Sequence, residues 1–495
     1  MNNRPCILAI DQGTGSSRSL VFDRWGNILA SHQIEIATIR PQDGWAEQDP
    51  DEIWHTTLQS ARAALREAEG QGNKVIGIGI ANQRETTIVW DRNTSKPCYN
   101  AILWHDRRTA EDCRKLVAGG WETVIQEKTG LVLDPYFSAT KLSWILDNRD
   151  NVRKNSEEGL SLFGTVDSFL LWKLTGGTSH ATDTTNASRT SLFNIQDPGW
   201  DAQLLDIFRI PAPCLPSVFD SSHVFGQTDP TLFGRKIPIL GIIGDQQASA
   251  LGHGCTNPGS AKSTYGTGGF LMINNGEEKL QSSNRLLSTV AYQIEGKISY
   301  ATEGSIFVAG DTIKWLRDGL KIISKASEVE RLAELAGDDQ GLFLVPAFNG
   351  IGAPHWDPNA RGTLYGITAR TAGPQLARAA LDAACYQTYD IIEAARRDGN
   401  QLEALRVDGG MSGNNWFCQR LADILDVNVE RAKFTETTAW GAAFTAGLGT
   451  SLFSGLNQVK NISITDTTFV PSMKNKQRSK LLEGWANAVK RTLLK

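Results

Sequence analysis

One pattern occurs twice in this chain of 495 residues: an apolar segment, a turn of small residues, and a second apolar segment. In the first half the apolar segments are residues 7–10 and 19–22, and the turn between them at 12–17 is rich in glycine, threonine and serine. In the second half the same order occupies residues 261–273. Short apolar runs predict strands buried on both faces, and small residues predict tight turns. The chain is therefore expected to fold as two halves of similar plan.

The segments that follow the turns predict helices between strands. Asp49 and Pro50 are the residue types favoured at a helix N-cap and at the first helical position. Apolar residues at helical spacing then continue to Gly70, and residues 74–81 predict a strand. In the second half a long helix closed by Gly399 also precedes a strand. Strands that alternate with helices predict an α/β fold.

The length supports a division into domains, because 495 residues exceed what one hydrophobic core usually accommodates. No low-complexity linker separates the halves, and the boundary is placed near Gly252. We expect residues 1–252 to form an N-terminal domain and residues 253–495 a C-terminal domain, with the final helices packing back across the boundary.

Composition and charge exclude several classes of protein. Hydrophobic residues make up 40% of the chain and the formal net charge is -4, which argues against a nucleic-acid partner. The longest apolar segments, such as 237–243, are too short to cross a bilayer, so no membrane insertion is expected. The seven cysteines lie far apart without C-x-x-C or zinc spacing, and no leader-like segment precedes the first predicted strand. These features predict a cytoplasmic protein.

The first turn has the residue types that a phosphate group requires. Glycine lets the backbone approach an anion closely. Thr14, Ser16 and Ser17 add hydroxyl donors, and Arg18 adds a fixed positive charge. Asp11, at the end of the strand, could hold Mg²⁺ through water, because this ion keeps part of its hydration shell. An ordinary hairpin whose polar residues satisfy the turn explains the same pattern.

The second half carries two further glycine-rich turns. The turn at 266–269, paired with the first turn, predicts two loops that close on one triphosphate from opposite domains. The turn at 408–410 ends a strand and could let the backbone approach the base or ribose of a nucleotide, with Asn415 shortly after it. A plain β-turn is the alternative for this segment. The P-loop motif, an early G-x-G-x-x-G and the H-R-D loop are all absent from the sequence.

Three further sets of residues could bind and activate a hydroxyl compound. Asp245 follows an apolar strand and precedes a helix, where its carboxylate could accept a proton from a hydroxyl; the alternative is a simple helix N-cap. Arg84 and Glu85 offer a donor beside an acceptor, as adjacent hydroxyls require, or else they form a charged strand edge. Trp104 and Phe270 could pack on a short carbon chain, or could belong to the core.

Taken together, these stretches resemble the FGGY carbohydrate kinases over nearly the whole chain. The matching segments are residues 11–14, 44–47, 82–90, 107–110, 129–131, 134–138, 164–167, 185–190, 244–247, 265–268, 352–354 and 406–410. Residues 136–145 and 362–384 fit the two signatures of the family. The similarity is strongest to the branch of the family that phosphorylates glycerol.

The resemblance implies the actin/hexokinase-like (ribonuclease H-like) fold, in which two α/β domains enclose a cleft. It implies that the chain uses ATP and Mg²⁺ to convert glycerol to sn-glycerol 3-phosphate, and that it forms a homo-oligomer, either a dimer or a tetramer. In the family pattern Asp245 is the general base and, with Asp11 acting through water, a metal-linked carboxylate.

The same resemblance implies the binding residues. Those for the acceptor are Arg84, Glu85, Trp104, Tyr136, Asp245, Gln246 and Phe270. Those for the nucleotide are Thr14, Gly15, Ser16, Arg18, Thr267, Gly310, Lys314, Gly410, Met411 and Asn415.

Four positions depart from the usual pattern of that branch. His105 stands where Gln is usual, Thr184 where an aromatic residue is common, Lys314 in place of Gln, and Gly15 in place of Thr. His105 adjoins the acceptor wall, so a kinase for another polyol or sugar, such as erythritol, threitol or xylulose, is an alternative. A second alternative is a nucleotide-switched module of the actin-like fold, whose rate of ATP turnover does not depend on polyols.

Overall fold

The computed structural model describes residues 4–337, 341–348, 350–433, 435–450, 452–462 and 465–493. The strands of the first half are β1 (Arg4–Gln12), β2 (Ser16–Phe22), β3 (Ile28–Glu35), β4 (Glu47–Gln48), β5 (Asn73–Asn82), β6 (Ile88–Asp91), β7 (Ala101–Ile102), β8 (Ser161–Gly164), β9 (Ala181–Asp183), β10 (Phe193–Asn194), β11 (Gly199–Trp200), β12 (Ser217–Phe219), β13 (Ser222–Gln227) and β14 (Pro238–Gly244). Its helices are α1 (Pro50–Gly70), α2 (Ala110–Ala118), α3 (Glu122–Thr129), α4 (Ser138–Asn148), α5 (Val152–Glu157), α6 (Val166–Leu174), α7 (Thr184–Ala187), α8 (Ala202–Phe208), α9 (Pro230–Phe233) and α10 (Asp245–Gly252), with a 3-10 helix at Ala212–Cys214.

The second half continues the same alternation of strands and helices. Its strands are β15 (Ala261–Tyr265), β16 (Gly269–Gly276), β17 (Leu287–Ile294), β18 (Lys297–Ile306), β19 (Phe343–Val345), β20 (Thr363–Tyr365), β21 (Ala404–Asp408), β22 (Asn428–Ala432) and β23 (Thr465–Phe469). Its helices are α11 (Asp311–Lys314), α12 (Glu328–Leu335), α13 (Gly373–Arg397), α14 (Asn415–Leu425), α15 (Thr437–Leu448), α16 (Asn457–Ile462) and α17 (Asn475–Leu493). A π-helical turn covers Trp315–Gly319 and a 3-10 helix covers Gly410–Gly413.

Two mixed sheets form the centres of the two halves. The first has the order β13-β14-β5-β1-β2-β3, and the second has the order β17-β18-β16-β15-β21-β22-β23. In the first sheet β1, β2 and β3 are antiparallel, and β5 and β14 continue from β1 in parallel. In the second sheet β15, β16 and β18 are antiparallel, and β21 and β22 continue from β15 in parallel. The repeated strand–turn–strand pattern is confirmed, and it belongs to a larger repeat of five strands.

The predicted start and end of the first helix are also confirmed. Asp49 caps α1, where its side chain accepts a hydrogen bond from the backbone N–H of Asp51, and Pro50 is the first helical residue. The helix ends at Gly70 as predicted. Buried positions such as Ile53, Ala61 and Leu65 then pack this helix on the first sheet, since helical spacing places them on one face.

Helix α15 comes from the second half of the sequence but packs on the sheet of the first half. Trp440 and Ala442 share a buried cluster with Ile7 of β1 and Ile243 of β14. Gly79 of β5 makes this contact possible, because a Cβ there would lie 2.1 Å from the carbonyl oxygen of Ala442. Helix α16 joins the same cluster, whereas the last helix, α17, packs into the core of the second half.

None of the helices in the described residues is both long enough and apolar enough to span a membrane. The seven cysteines are all free, and six of them are buried, as expected of small apolar side chains.

Candidate active site

The chain's predicted acceptor residues converge because parallel strands end at one edge of the first sheet. Asn82 at the end of β5 lies beside Gln12 of β1 and beside Gly244 of β14. Arg84 and Asp245, which follow β5 and β14, are therefore neighbours although 161 positions separate them in the sequence. In the second sheet, the pairing of Thr264 with Asp408 brings the turns at 266–268 and 409–410 together in the same way.

A cavity of about 80 Å³ lies at the edge of the first sheet, and it contains every predicted acceptor residue. Its lining is Thr14, Gln83, Arg84, Glu85, Trp104, Tyr136, Asp245, Gln246 and Phe270. Phe270 belongs to β16 of the second sheet, whereas the other lining residues come from the first half. The cavity therefore lies between the two halves. His105, which differs from the usual residue of the family and follows Trp104, does not line this cavity. Burial, followed by the charge of Arg40, lowers the pKa of His105 to about 4.

Arg84 and Glu85 form a buried charge network, so the alternative of a charged strand edge is wrong. Both side chains are only 2% exposed. Arg84 donates from Nη1 to Glu303 Oε2 at 2.6 Å and from Nη2 to Glu303 Oε1 at 3.0 Å. Arg189 donates from Nε to Glu85 Oε1 at 2.6 Å and from Nη2 to Glu303 Oε1 at 3.0 Å. Burial alone would raise the pKa of Glu303, but Arg189 and Arg84 lower it to about 2.

Glu303 and Arg189 were not among the residues predicted from the sequence to belong to the site. Glu303 is one carboxylate in the middle of β18, and Arg189 lies inside a stretch that matches the family. A carboxylate flanked by residues of a buried strand was the available signal, because such a group needs a charged partner.

Asp245 is the first residue of α10, and its carboxylate faces the acceptor cavity. Gly244 is the N-cap and has no side chain, so the interpretation of Asp245 as an N-cap is wrong. The carboxylate is 26% exposed and lies 3.3 Å from Arg84 Nε. Burial raises the pKa of Asp245, the charges of Arg84 and Lys262 lower it, and the carboxylate of Asp11 raises it. The two carboxylates are therefore close enough to interact.

Lys262 fixes the orientation of Gln246. Its side chain is buried, and Nζ donates to Gln246 Oε1 and, at 2.9 Å, to Thr264 Oγ1. Since the amide oxygen of Gln246 accepts from Lys262, its NH₂ group is the end that can donate into the cavity. Burial lowers the pKa of Lys262, against the opposing charges of Asp408 and Asp245.

Aromatic rings form the apolar wall of the cavity. The ring centroid of Trp104 lies 5.6 Å from that of Tyr136 and 5.8 Å from that of Phe270, both in edge-on contact. Trp104 Nε1 donates to Thr14 Oγ1 at 2.9 Å. Burial, followed by the charge of Glu85, raises the pKa of Tyr136, so its hydroxyl remains neutral. That hydroxyl accepts from Arg84 Nη2 at 3.3 Å.

Beside the first glycine turn, Arg18 forms ion pairs with two carboxylates. Arg18 donates to Asp11 Oδ2 at 2.8 Å and to Glu436 Oε2 at 2.7 Å. Burial raises the pKa of Asp11 and the charge of Arg18 lowers it. Gly15 is exposed and Ser16 half-buried. The suggestion that Ser17 donates to a phosphate is wrong, because its hydroxyl is fully buried against Thr56 and Thr57 of α1.

A second, larger cavity of about 490 Å³ lies against the turns of the second sheet. Its lining includes five of the predicted nucleotide residues, namely Thr267, Gly310, Lys314, Gly410 and Met411. Asn415 begins α14 next to the lining residue Asn414, and its Oδ1 accepts from Arg431 at 2.8 Å. The remaining predicted residues, Thr14, Gly15, Ser16 and Arg18, lie in the turn of the first half and do not line this cavity.

Gly409 shows why glycine is needed beside this larger cavity. Its φ is 85°, which glycine adopts readily. A Cβ there would also lie 2.5 Å from the carbonyl oxygen of Tyr265. This close approach joins the turn after β21 to the turn after β15, so both backbones reach the same end of the cavity.

No group of three or more metal-ligating side chains occurs in the described part of the chain. Asp11 and Asp245 nevertheless fit Mg²⁺, which is bound in phosphate-transferring sites by one or two carboxylates together with water and substrate phosphates. Burial is the main cause of the raised pKa of Asp245 and the charge of Asp11 adds to it, so a cation bound between the two carboxylates would stabilise their ionised forms.

Comparison with known proteins gives one consistent result. The N-terminal domain of the FGGY family of carbohydrate kinases matches residues 6–252, and its C-terminal domain matches residues 261–450. The glycerol kinase of Rhodospirillum centenum is 54% identical over 492 residues, which is 99% of each chain. Glycerol kinase 1 of Pseudomonas aeruginosa is 52% identical over 485 residues, or 98% of each chain.

Solved structures agree in fold. The glycerol kinase of Plasmodium falciparum with ADP superposes with a TM-score of 0.93 at 36% identity, covering 100% of this chain and 99% of that one. A xylulose kinase from Lactobacillus acidophilus superposes with a TM-score of 0.87 at 21% identity, covering 98% and 97%. The fold is thus the two-domain α/β fold that these kinases share, and the chain belongs to the FGGY family of carbohydrate kinases.

Proposed function

We propose that this protein transfers the γ-phosphoryl group of ATP to a terminal hydroxyl of glycerol, giving sn-glycerol 3-phosphate and ADP. The observation that carries the proposal is the single cavity lined by all seven predicted acceptor residues. This cavity is small, at about 80 Å³, and is open on one side. Glycerol is shorter than the four- and five-carbon alternatives and is the acceptor that such a small cavity favours.

The acceptor residues can satisfy each hydroxyl of a short polyol. Arg84 and the NH₂ group of Gln246 donate, and the carboxylates of Glu85 and Asp245 accept. The rings of Trp104 and Phe270 pack on the carbon atoms. The relatives that are 54% and 52% identical over nearly the whole chain are glycerol kinases, which favours glycerol over the four- and five-carbon alternatives.

Asp245 is the general base in this proposal. Its carboxylate accepts the proton of the attacking hydroxyl, and Arg84, 3.3 Å away, favours the ionised form that can do so. Positioning and charge stabilisation account for most of phosphoryl-transfer catalysis. The residues that fix Arg84 therefore contribute to the rate as well as the base does, because they position the acceptor. Enclosure between the halves keeps water from the reacting phosphoryl group.

The larger cavity is the proposed nucleotide site. The backbone turns at 266–268 and 409–411 lie along it, and Lys314 Nζ lies 3.2 Å from Thr267 Oγ1. The turn bearing Thr14 lines the acceptor cavity and completes the phosphate path between the two sites. Mg²⁺, held by Asp11 through water and by Asp245, would neutralise charge on the phosphates.

Two further properties belong to the proposal. We expect a homo-oligomer, a dimer or a tetramer, which size-exclusion chromatography with light scattering would detect. We also expect a cytoplasmic protein, which the seven free cysteines support, because cysteines stay reduced in that compartment.

The test is release of ADP from Mg-ATP by the purified protein with glycerol, dihydroxyacetone, erythritol, xylulose or no acceptor. Asp245→Asn removes the base, and Asp201→Asn is the matched control, because Asp201 caps α8 and lines neither cavity. We expect strong stimulation by glycerol that Asp245→Asn abolishes and Asp201→Asn retains. Preference for xylulose or erythritol would reassign the acceptor, and turnover indifferent to every acceptor would favour a nucleotide switch.

A further inference from the structure

Four buried side chains alternate in charge behind the acceptor cavity. In order they are Arg84, Glu303, Arg189 and Glu85, joined by contacts of 2.6 Å, 3.0 Å and 2.6 Å. Arg84 Nε lies 3.8 Å from Glu85 Oε1, which closes the ring. Every member is at most 2% exposed. Two positive and two negative charges therefore neutralise each other without help from water.

Only two of these four charged side chains line the acceptor cavity. Arg84 and Glu85 line the cavity, but Glu303 and Arg189 do not. Glu303 takes both terminal nitrogens of Arg84, which leaves Nε, 3.3 Å from Asp245 Oδ1, as the nitrogen available to an acceptor hydroxyl. Arg189 takes Oε1 of Glu85, which leaves the second carboxylate oxygen for an acceptor hydroxyl. The two hidden residues thus decide which atoms the two lining residues present.

The backbone at Glu85 also depends on this support. Its φ is 61°, a left-handed conformation that a residue with a Cβ adopts only where its surroundings hold it. Arg189 Nε and the hydroxyl of Ser138, which donates to the carbonyl oxygen of Glu85 at 2.9 Å, are two of the groups that hold it. Without them the side chain would be free to leave the position in which it lines the cavity.

The ring also joins the two halves of the molecule. Arg84, Glu85 and Arg189 belong to the first half, whereas Glu303 lies in the middle of β18 of the second sheet. A buried ion pair is weak evidence for stability, because desolvation offsets most of its attraction. Geometry at the site is the better account of why four charges are kept out of water here.

We propose that Glu303 and Arg189 are positioning residues for acceptor binding, and that Glu303 completes the acceptor site from the nucleotide-binding half. The proposal rests on the proposed function, because it assumes that a polyol occupies the cavity between Arg84 and Asp245. It concerns binding of the acceptor and leaves the nucleotide cavity unaffected, since neither residue lines that cavity.

The test compares Glu303→Gln with a buried pair of the same kind elsewhere. Arg420 donates to Asp382 at 2.6 Å and 3.2 Å, both side chains are 7% exposed, and neither lines the acceptor cavity or the nucleotide cavity. Asp382→Asn is thus the matched control for loss of a buried carboxylate charge. For each variant the KM for glycerol, the KM for ATP and the thermal midpoint are measured.

We expect Glu303→Gln to raise the KM for glycerol by about 10- to 100-fold, as for loss of charge-assisted hydrogen bonds, with the KM for ATP unchanged. Asp382→Asn should lower the thermal midpoint without a selective effect on glycerol. Glu303→Asp should recover part of the loss, because it restores the charge. Arg189→Lys, which keeps the charge but not the fork of donors, provides the same readout if Glu303→Gln does not fold.

A double variant of Glu303 and Arg84 gives the second measurement, because it tests whether the two residues act on glycerol binding together. If Glu303 acts through Arg84, adding Glu303→Gln to an Arg84→Met variant should raise the KM for glycerol no further. Additive effects, or equal rises in both KM values that follow the loss of stability, would overturn the proposal. Should wild-type protein prefer another polyol, the proposed acceptor fails, and the split between acceptor and ATP KM is measured with that polyol instead. Wild-type turnover that no acceptor stimulates would overturn both.

Discussion

Replacing Gly441 by alanine tests the helix contact on which the position of Asp245 depends. Gly441 lies inside α15, where alanine is the better helix former by about 1 kcal/mol, so propensity alone predicts a more stable protein. The added Cβ would lie 1.9 Å from the carbonyl oxygen of Ala248 in α10 and 2.6 Å from its carbonyl carbon. Carbon atoms in contact stay about 3.5–4.0 Å apart, so the two helices must separate by roughly 1 Å or more.

The steric effect outweighs the propensity. Overpacking costs about 1–3 kcal/mol, and the upper end applies because the atoms that clash are backbone and cannot rotate away. After the gain in propensity, the net loss is about 2 kcal/mol. Helix α10 begins at Asp245, so its shift also displaces the proposed base. A displacement of about 1 Å can cost about 10²-fold in rate.

The assay is scanning calorimetry together with glycerol-dependent ADP release. Gly70→Ala is the control, because Gly70 ends α1 and a Cβ there meets nothing within 4 Å. We expect the control to keep full activity and to be as stable as wild type or slightly more so, while Gly441→Ala loses both stability and kcat. A Gly441→Ala protein with wild-type stability and rate would refute the argument that close packing of α10 on α15 positions Asp245.

Three further outcomes are expected. Burial raises the pKa of Asp167 to about 7 from 3.8, so the folded state holds a proton that the unfolded state releases, and the contribution of Asp167 to stability falls as pH rises from about 4 to 7. Asp167→Asn should then gain stability relative to wild type over that range in urea titrations, and a constant difference would contradict this. Asp11→Asn should raise the Mg²⁺ concentration for half-maximal activity several-fold while leaving the KM for glycerol unchanged; an unaltered Mg²⁺ requirement would remove Asp11 from the proposed metal site. Lys314→Gln should raise the KM for ATP only about threefold, because Lys314 is 54% exposed and contacts between exposed charges are weak; a larger rise would indicate a closer phosphate contact.

Local patterns in the sequence determined the main elements of this fold. The strands before and after each glycine turn, the capped start of α1 at Pro50 and its end at Gly70 were predicted where the structure has them. Each depends on neighbouring residues, because turn chemistry, capping and hydrophobic spacing act within one or two turns of chain. The acceptor residues, by contrast, came from resemblance to a family, since the residues taken alone favoured a charged strand edge for Arg84 and Glu85 and a simple N-cap for Asp245.

Only the tertiary structure decided how those residues are held. Ser17 was expected to face a phosphate but is buried against α1, because alternation along β2 turns its side chain to the covered face. The sequence around Glu303 indicated at most that a buried carboxylate needs a charged partner, and it could not identify Arg84 and Arg189, which lie more than 100 positions away. Burial sets the cost of an unpaired charge, and burial is a property of the packed molecule. The sequence therefore determined which chemical groups are present and which strands carry them, and the packing of two sheets determined which charges meet.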